Sequence, residues 1–215
     1  MIRQSLLTLF VMAVAMATTT RAHSVWIEPD GDNQLVIRFA EPGDAFETSP
    51  GYLDNLSTPI AFTLTTKALL VVETRKEPDR FLLIGASVTN VACVETSFTV
   101  RGGRKPYFYA RWQPVGAGTA KPLLTLDLVP TGKSGEVRAW FRGKPLGSVA
   151  ATLRTPDGKD QKLTADADGF LHFKTEKPGQ YLLTIAHYRE PLAGFHVGVA
   201  YQETSHNCSL VWTQH

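Results

Sequence analysis

The chain has 215 residues, with 22 Lys and Arg against 20 Asp and Glu, and 43% of it is hydrophobic, including four Trp and eleven Phe. So small a net charge gives no electrostatic basis for nucleic acid or an anionic membrane surface as partner. The apolar content suffices for one packed domain or two small ones, and after residue 22 no apolar run is long enough to span a bilayer.

Residues 1–22 read as a secretory signal: Arg3 is the charged start, Leu6 to Ala17 the apolar stretch, and Thr20-Arg21-Ala22 a small-x-small cleavage site. A rival site follows Ala15-Met16-Ala17, but Ala17 belongs to the apolar run itself, and cleavage ordinarily falls beyond that run. Removing residues 1–22 takes away Arg3 and Arg21 and no acid, leaving 20 charges of each sign. No cysteine stands directly after the apolar run, which argues against a lipid anchor. The product is expected in the periplasm or secreted, without membrane insertion. Cleavage after Ala22 leaves His23 carrying a free α-amine beside its imidazole, a bidentate nitrogen chelate for a divalent transition metal.

The mature chain shows short apolar or alternating runs separated by Gly, Pro, Asn and Asp, and no sustained helical period. Ser24–Glu28 and Gln34–Ala40 flank the turn cluster Pro29-Asp30-Gly31-Asp32-Asn33. Residues 41–59 form a polar loop. Strands follow at Ile60–Thr65, Leu69–Arg75, Arg80–Ile84, Val91–Val100, Tyr107–Trp112 and Leu123–Val129. The turn-rich stretch Pro130 to Gly135 marks a boundary, giving an N-terminal β-sandwich domain over 23–132 and a C-terminal one over 136–215. The second unit reads as strands at Val137–Arg142, Val149–Thr155, Gln161–Ala165, Phe170–Lys174, Tyr181–His187, Phe195–Tyr201 and Cys208–Thr213. The fold class is all-β. Cys93 and Cys208 are the two cysteines. An exported pair can oxidise, but two unpaired buried thiols on different strands fit the sequence equally well.

Gly143-Lys144-Pro145-Leu146, Pro156-Asp157-Gly158, Asp168-Gly169-Phe170 and Gly179-Gln180-Tyr181-Leu182-Leu183 resemble the transthyretin-like or carboxypeptidase-regulatory-like β-sandwich, an Ig-like module. His23-Ser24-Val25-Trp26-Ile27-Glu28-Pro29 after a signal, with Arg38-Phe39-Ala40-Glu41-Pro42-Gly43 and Glu47-Thr48-Ser49-Pro50-Gly51, resembles an exported bacterial family associated with nickel and cobalt uptake. That family ends in the same module. The resemblance implies a periplasmic, metal-associated protein serving a membrane uptake transporter.

Of the six histidines, His187 closes the run from Tyr181, and strict alternation puts it on the face of Tyr181, Leu183 and Ile185. That position suits either a rim pocket or a core-edge imidazole satisfied by a backbone carbonyl. The family resemblance implies roles for His187 and for His206, which stands just before the last strand. With His23 they form the expected metal set: His23, His187 and His206 around one Ni, Co or Cu ion, with zinc also compatible. All three methionines lie in the signal, so a soft Cu(I) site is not expected. His172, His196 and His215 are weaker candidates.

Other motifs fail. Thr131-Gly132-Lys133-Ser134 has Asp127 where a phosphate loop needs glycine, and Asp166-Ala167-Asp168-Gly169 lacks the later ligands of a calcium loop. No hydrolase or zinc-protease signature is present, so the expected function is non-enzymatic metal binding and delivery. The alternatives are a structural or adhesive β module without metal, and an oxidative copper enzyme with an N-terminal histidine brace. Intact mass of the exported product is expected to place its first residue at His23. A product beginning at Thr18 removes the amine chelate.

Overall fold

A computed structural model describes residues 22–31, 33–65, 68–114 and 121–215, so that nearly all of the expected signal lies outside the described residues. The protein is an all-β sandwich. Its strands are β1 (Ser24–Asp30), β2 (Gln34–Ala40), β3 (Ile60–Leu64), β4 (Leu69–Lys76), β5 (Phe81–Ser87), β6 (Val91–Ser97), β7 (Arg104–Trp112), β8 (Leu126–Pro130) and β9 (Glu136–Phe141). They continue as β10 (Lys144–Pro145), β11 (Ala150–Arg154), β12 (Asp160–Thr164), β13 (Phe170–His172), β14 (Gly179–Glu190), β15 (Gly194–His196), β16 (Val199–Tyr201) and β17 (Glu203–Gln214). Among the described residues the one helical element is a 3-10 turn over Tyr52–Asn55, and no helix is long and apolar enough to cross a membrane.

Eleven strands form one sheet in the order β1-β2-β5-β4-β3-β6-β7-β17-β14-β11-β12. A small second sheet holds β8, β9, β10 and β13, and β15 pairs with β16 as a separate hairpin. The join is parallel: β17 runs beside β7 from Glu203 opposite Arg104 to Val211 opposite Trp112. On the other side β17 pairs antiparallel with β14.

Alternation along the middle strands sends side chains into two separate cores. Val94, Phe108, Ala110, Leu182 and Val211 join Val25, Ile37 and Phe39 in one. Cys93, Tyr109, Leu183, Ile185, Cys208 and Leu210 join Leu126, Leu128, Val137 and Ala139 in the other. The strands β6, β7, β17 and β14 are therefore a shared middle layer, covered on both faces, which is where a parallel pair is stable.

This corrects the expected division at residues 132–136. The Thr131–Gly135 turn closes the hairpin between β8 and β9, so β8 belongs to the second core's outer sheet. The last strand, read as part of the C-terminal domain, lies against the N-terminal half. The segment Phe195–Tyr201, read as one strand, is the β15–β16 hairpin, because Gly198 at φ 76° lets the chain reverse.

The two cysteines are buried and free. Cys93 pairs in register with Arg111, and Cys208 with Tyr109, so β7 lies between them. Two strand spacings, together with a two-residue offset along β7, separate them by at least about 9–10 Å, beyond the ~7 Å over which Cα atoms can be bridged. Burial pushes the Cys93 thiol up to about 12 and raises Cys208 well above its ordinary value, so both are inert.

Beside them is a fully buried ion pair. Arg111 Nε and Nη2 donate to the two oxygens of Asp127 at 2.9 and 2.6 Å, and the Leu123 and Leu124 amides donate to Asp127 Oδ2 at 2.8 and 3.3 Å. These bonds tie the start of β8 to β7. Arg111→Met strands the carboxylate and is expected to cost about 3–5 kcal/mol in chemical denaturation. Adding a reductant is expected to leave the melting temperature unchanged, since no disulfide exists to be broken.

Candidate functional site

A cavity of about 250 Å³ opens at the end of the first core, lined by residues that include His23, Phe39, Tyr52, Phe98, Phe108, Arg101, Arg104, His187, Ser205 and Asn207. Its walls come from distant parts of the chain. His23 enters just before β1, and Phe39 ends β2. Tyr52 rides on the 3-10 turn, which is fixed by Asp54: Ser49 Oγ and the Gly51 amide donate to it at 2.7 and 2.8 Å, and Lys76 pairs with it. The Lys76 ammonium, Ser49 and the Gly51 amide hold that carboxyl well below the usual range. Phe39 stacks on Tyr52 at 5.9 Å, and Phe98 lies 5.0 Å from Tyr52, giving an aromatic wall.

His23 rests on that wall, with its ring 5.1 Å from Phe39 and 5.0 Å from Tyr52. Its Nε2 contacts Glu47 Oε1 at 2.6 Å, and its Nδ1 lies 3.7 Å from Glu41 Oε1. The loop after β2 delivers both acids, doubling back so that the Glu47 amide donates to Phe39 O at 2.9 Å.

His187 lines the same cavity from the opposite half of the chain, for a reason that alternation along the strand does not show. The β14–β17 register passes from Ile185 opposite Cys208 to Tyr188 opposite His206, so Ala186 and His187 together oppose Asn207. The extra residue is a bulge, with His187 at φ 59°, and its amide donates to Asn207 Oδ1 at 2.9 Å. One extra residue inverts the face. His187 therefore leaves the side of Ile185 and joins the cavity. Its imidazole pKa is lowered, first by partial desolvation and then by the Arg104 and Arg189 guanidiniums.

His206 is not brought to His23 and His187. It lies inside β17, between Ser205 and Asn207, which face the cavity, so it points into the other core. It stacks on Tyr107 and Tyr109 at 5.5 and 5.9 Å. Tyr109 Oη lies 3.0 Å from Nδ1, and Glu190 Oε2 lies 3.0 Å from Nε2. A carboxylate only accepts, which places the proton on Nε2 and makes Tyr109 the donor to Nδ1. Arg142 Nη2 donates to the same Glu190 oxygen at 2.8 Å. His206 is thus a satisfied core histidine.

The remaining histidines stand apart from the cavity lining: His172 is exposed with Glu136 at 3.7 Å, His196 lies in β15, and His215 is terminal. A larger cleft of about 400 Å³ against the Thr131–Gly135 turn, Phe173 and Trp212 has no histidine in its lining. Among the described residues no group of three or more His, Cys, Asp or Glu side chains is placed to hold a metal ion.

Sequence reading missed Glu41, Glu47, Arg101 and Arg104. The arginines carried a signal, because Arg101-Gly102-Gly103-Arg104 between two strands is a two-residue hairpin pattern. The acids stand in the two segments that carry the family resemblance, but only loop closure brings them to His23.

No family model and no curated protein matches the chain. Among solved structures, the FN1–FN3 domains of chicken CNTN1 align over 89% of this chain and 66% of that one, at 12% identity and a TM-score of 0.22.

Burial holds the His206 imidazole below its ordinary value of 6.5, against the opposing pull of Glu190. The folded state therefore takes up a proton less readily than the unfolded chain. Its contribution to stability is complete above about pH 6.5 and is lost as pH falls from there through the folded-state value. His187 has the same sign. The Glu95 carboxyl, raised by burial, has the opposite sign. Lys105, lowered by burial to about 8, has the same sign as His206 and adds a slope at higher pH, so thermal melts are expected to fall as pH drops through about 8 and to fall further on acidification below about pH 6.5. His206→Gln should cost about 1–3 kcal/mol at neutral pH and make the acid slope shallower; an unchanged slope rejects the assignment.

Proposed function

We propose that this protein is an exported, non-enzymatic carrier of one divalent transition-metal ion, Ni(II), Co(II) or Cu(II), handed on to a membrane uptake system. The observation that carries this reading is His23 set between Glu41 and Glu47 at the edge of a cavity. In the chain with residues 1–22 attached, these donors do not make up a ligand set among the described residues. Processing after Ala22 supplies what is missing. The α-amine and Nδ1 of His23 then close a chelate ring, and Glu41 lies on the Nδ1 side.

The donor chemistry fits the ions named. An amine, an imidazole and carboxylates suit Cu(II), Ni(II) and Co(II), and copper binds most tightly where geometry does not select. The aromatic rings of Phe39 and Tyr52 fix the orientation of the imidazole, and Glu47 bonded to Nε2 sets its tautomer. His187 belongs to the proposal as a second imidazole on the far wall. Its cationic neighbours make it the weaker donor. His206 is withdrawn from the ligand set, since its ring nitrogens are both engaged in the other core.

The test is calorimetric titration of the processed protein with Cu(II), Ni(II) and Co(II). One residue added in front of His23, or His23→Ala, should weaken binding by about tenfold or more, the loss of roughly 1.4 kcal/mol. His206→Gln should leave affinity within about twofold, as expected of a site on the opposite face of a strand. Equal affinity in processed and extended chains overturns the amine chelate. Absence of binding by all three ions overturns the carrier and leaves a structural module.

A further inference from the structure

The far end of the cavity holds an arrangement that a metal ion does not explain. Arg101 and Arg104 flank Gly102 and Gly103, whose φ values of 54° and 73° give the doubly left-handed turn that glycine accommodates. The Arg101 amide donates to Arg104 O at 2.9 Å and the Arg104 amide to Arg101 O at 3.0 Å. The two residues are thus directly opposed, and directly opposed side chains share one face of the ladder. Like charges in that relation are destabilising, yet both line the cavity.

Their neighbours do not cancel the charge. Arg104 Nε donates to Glu203 at 3.0 Å, but Glu203 also serves Arg189 at 3.6 Å. Arg101 lies over the Tyr52 ring at 5.3 Å and donates to its hydroxyl, and it has no carboxylate partner among the described residues. The acids pair instead with His23. The cavity is therefore polarised, and its His187 end is cationic.

We propose that Arg101 and Arg104 form a clamp for the carboxylate of a small organic acid, whose apolar body lies on the Phe39, Tyr52, Phe98 and Phe108 wall. Guanidinium forks match a carboxylate bidentately. Ser205 and Asn207 also line the cavity. The aromatic lining and a volume of about 250 Å³ exceed what an inorganic anion fills, and they select an organic one. This site goes beyond the metal reading and does not depend on it.

The probe is benzoate, titrated calorimetrically into metal-free processed protein, with benzyl alcohol and inorganic phosphate as comparisons. Benzoate should bind with a Kd of about 1 mM or tighter, and benzyl alcohol should not saturate. Arg101→Gln should weaken benzoate by about tenfold, with Arg101→Lys falling between, because the charge stays and the fork is lost. The melting temperature of Arg101→Gln without ligand should hold or rise by about 1–2 °C, since a like-charge pair is relieved. Glu41→Gln, which takes a donor from beside the metal chelate but lies outside the cavity lining, should leave benzoate binding within about threefold, which separates this site from the metal chelate. Three results overturn the clamp: no saturable benzoate binding, benzoate binding indifferent to Arg101→Gln, or phosphate binding to the same arginines at least as tightly as benzoate.

Discussion

The parallel ladder between β7 and β17 is the constraint on which the rest of the structure depends. A parallel partner cannot be reached by a tight turn, and here the crossover is the entire run from β8 to β16. Closing a loop of that length costs entropy that no local contact offsets, so the return strand has to be held over its whole length. It is: Thr204 to Val211 are all buried, with β7 on one side and β14 on the other. Two of the polar side chains that burial forces inward bond to backbone carbonyls. Ser209 Oγ donates to Val25 O at 2.7 Å and Asn207 Nδ2 to Tyr107 O at 3.1 Å. The first bond fastens the strand that follows His23 onto the last strand, and Asn207 receives the His187 amide. Both histidines of the cavity are therefore positioned through β17.

Most strands could be read from alternation and from the turns between them, because those signals are local. Asp157-Gly158 and Asp168-Gly169 mark chain reversals by backbone preference alone. What the sequence does not carry is which strands share a sheet. The Thr131–Gly135 turn looks like a linker because its composition is that of any polar turn, and only the β8–β9 pairing shows it to be a hairpin. The His187 bulge is hidden more deeply. Ala186 and His187 include neither glycine nor asparagine to announce a left-handed residue, and the bulge is imposed by the Asn207 side chain across the ladder. A strict period of two therefore put His187 on the wrong face. His206, expected just before the last strand, lies within it on the face of Cys208, and nothing in the sequence shows that Glu190 and Tyr109 occupy its nitrogens.

The N-terminal motif divides in the same way. Trp26 Nε1 donates to Glu28 at 2.6 Å, and Glu28 also accepts from Arg38 at 3.0 Å. Arg38 donates in turn to Asp79 at 2.8 Å and covers the Phe46 ring at 4.2 Å. Trp26 and Glu28 thus anchor the edge strand β1 and the loop that carries Glu47. Their place in the motif is explained by folding, and only His23 among these three residues reaches the cavity. A motif read as one functional unit is here one cavity residue and the frame that holds it.

That frame makes the cavity's charge separation possible. Acids and guanidiniums left free in solution would collapse into ion pairs. Here Glu41 and Glu47 are held on the loop after β2, and the two arginines on a hairpin whose only flexible residues are already committed to the turn. Aromatic rings line the cavity beside both groups, with His23 resting on Phe39 and Tyr52 and Arg101 lying over Tyr52. Separated charge in a closed protein relaxes unless rigid elements oppose it. In this fold the opposition comes from strands whose order is fixed by the return of β17 to β7, so the chemistry of the cavity and the topology of the sheet have one physical origin.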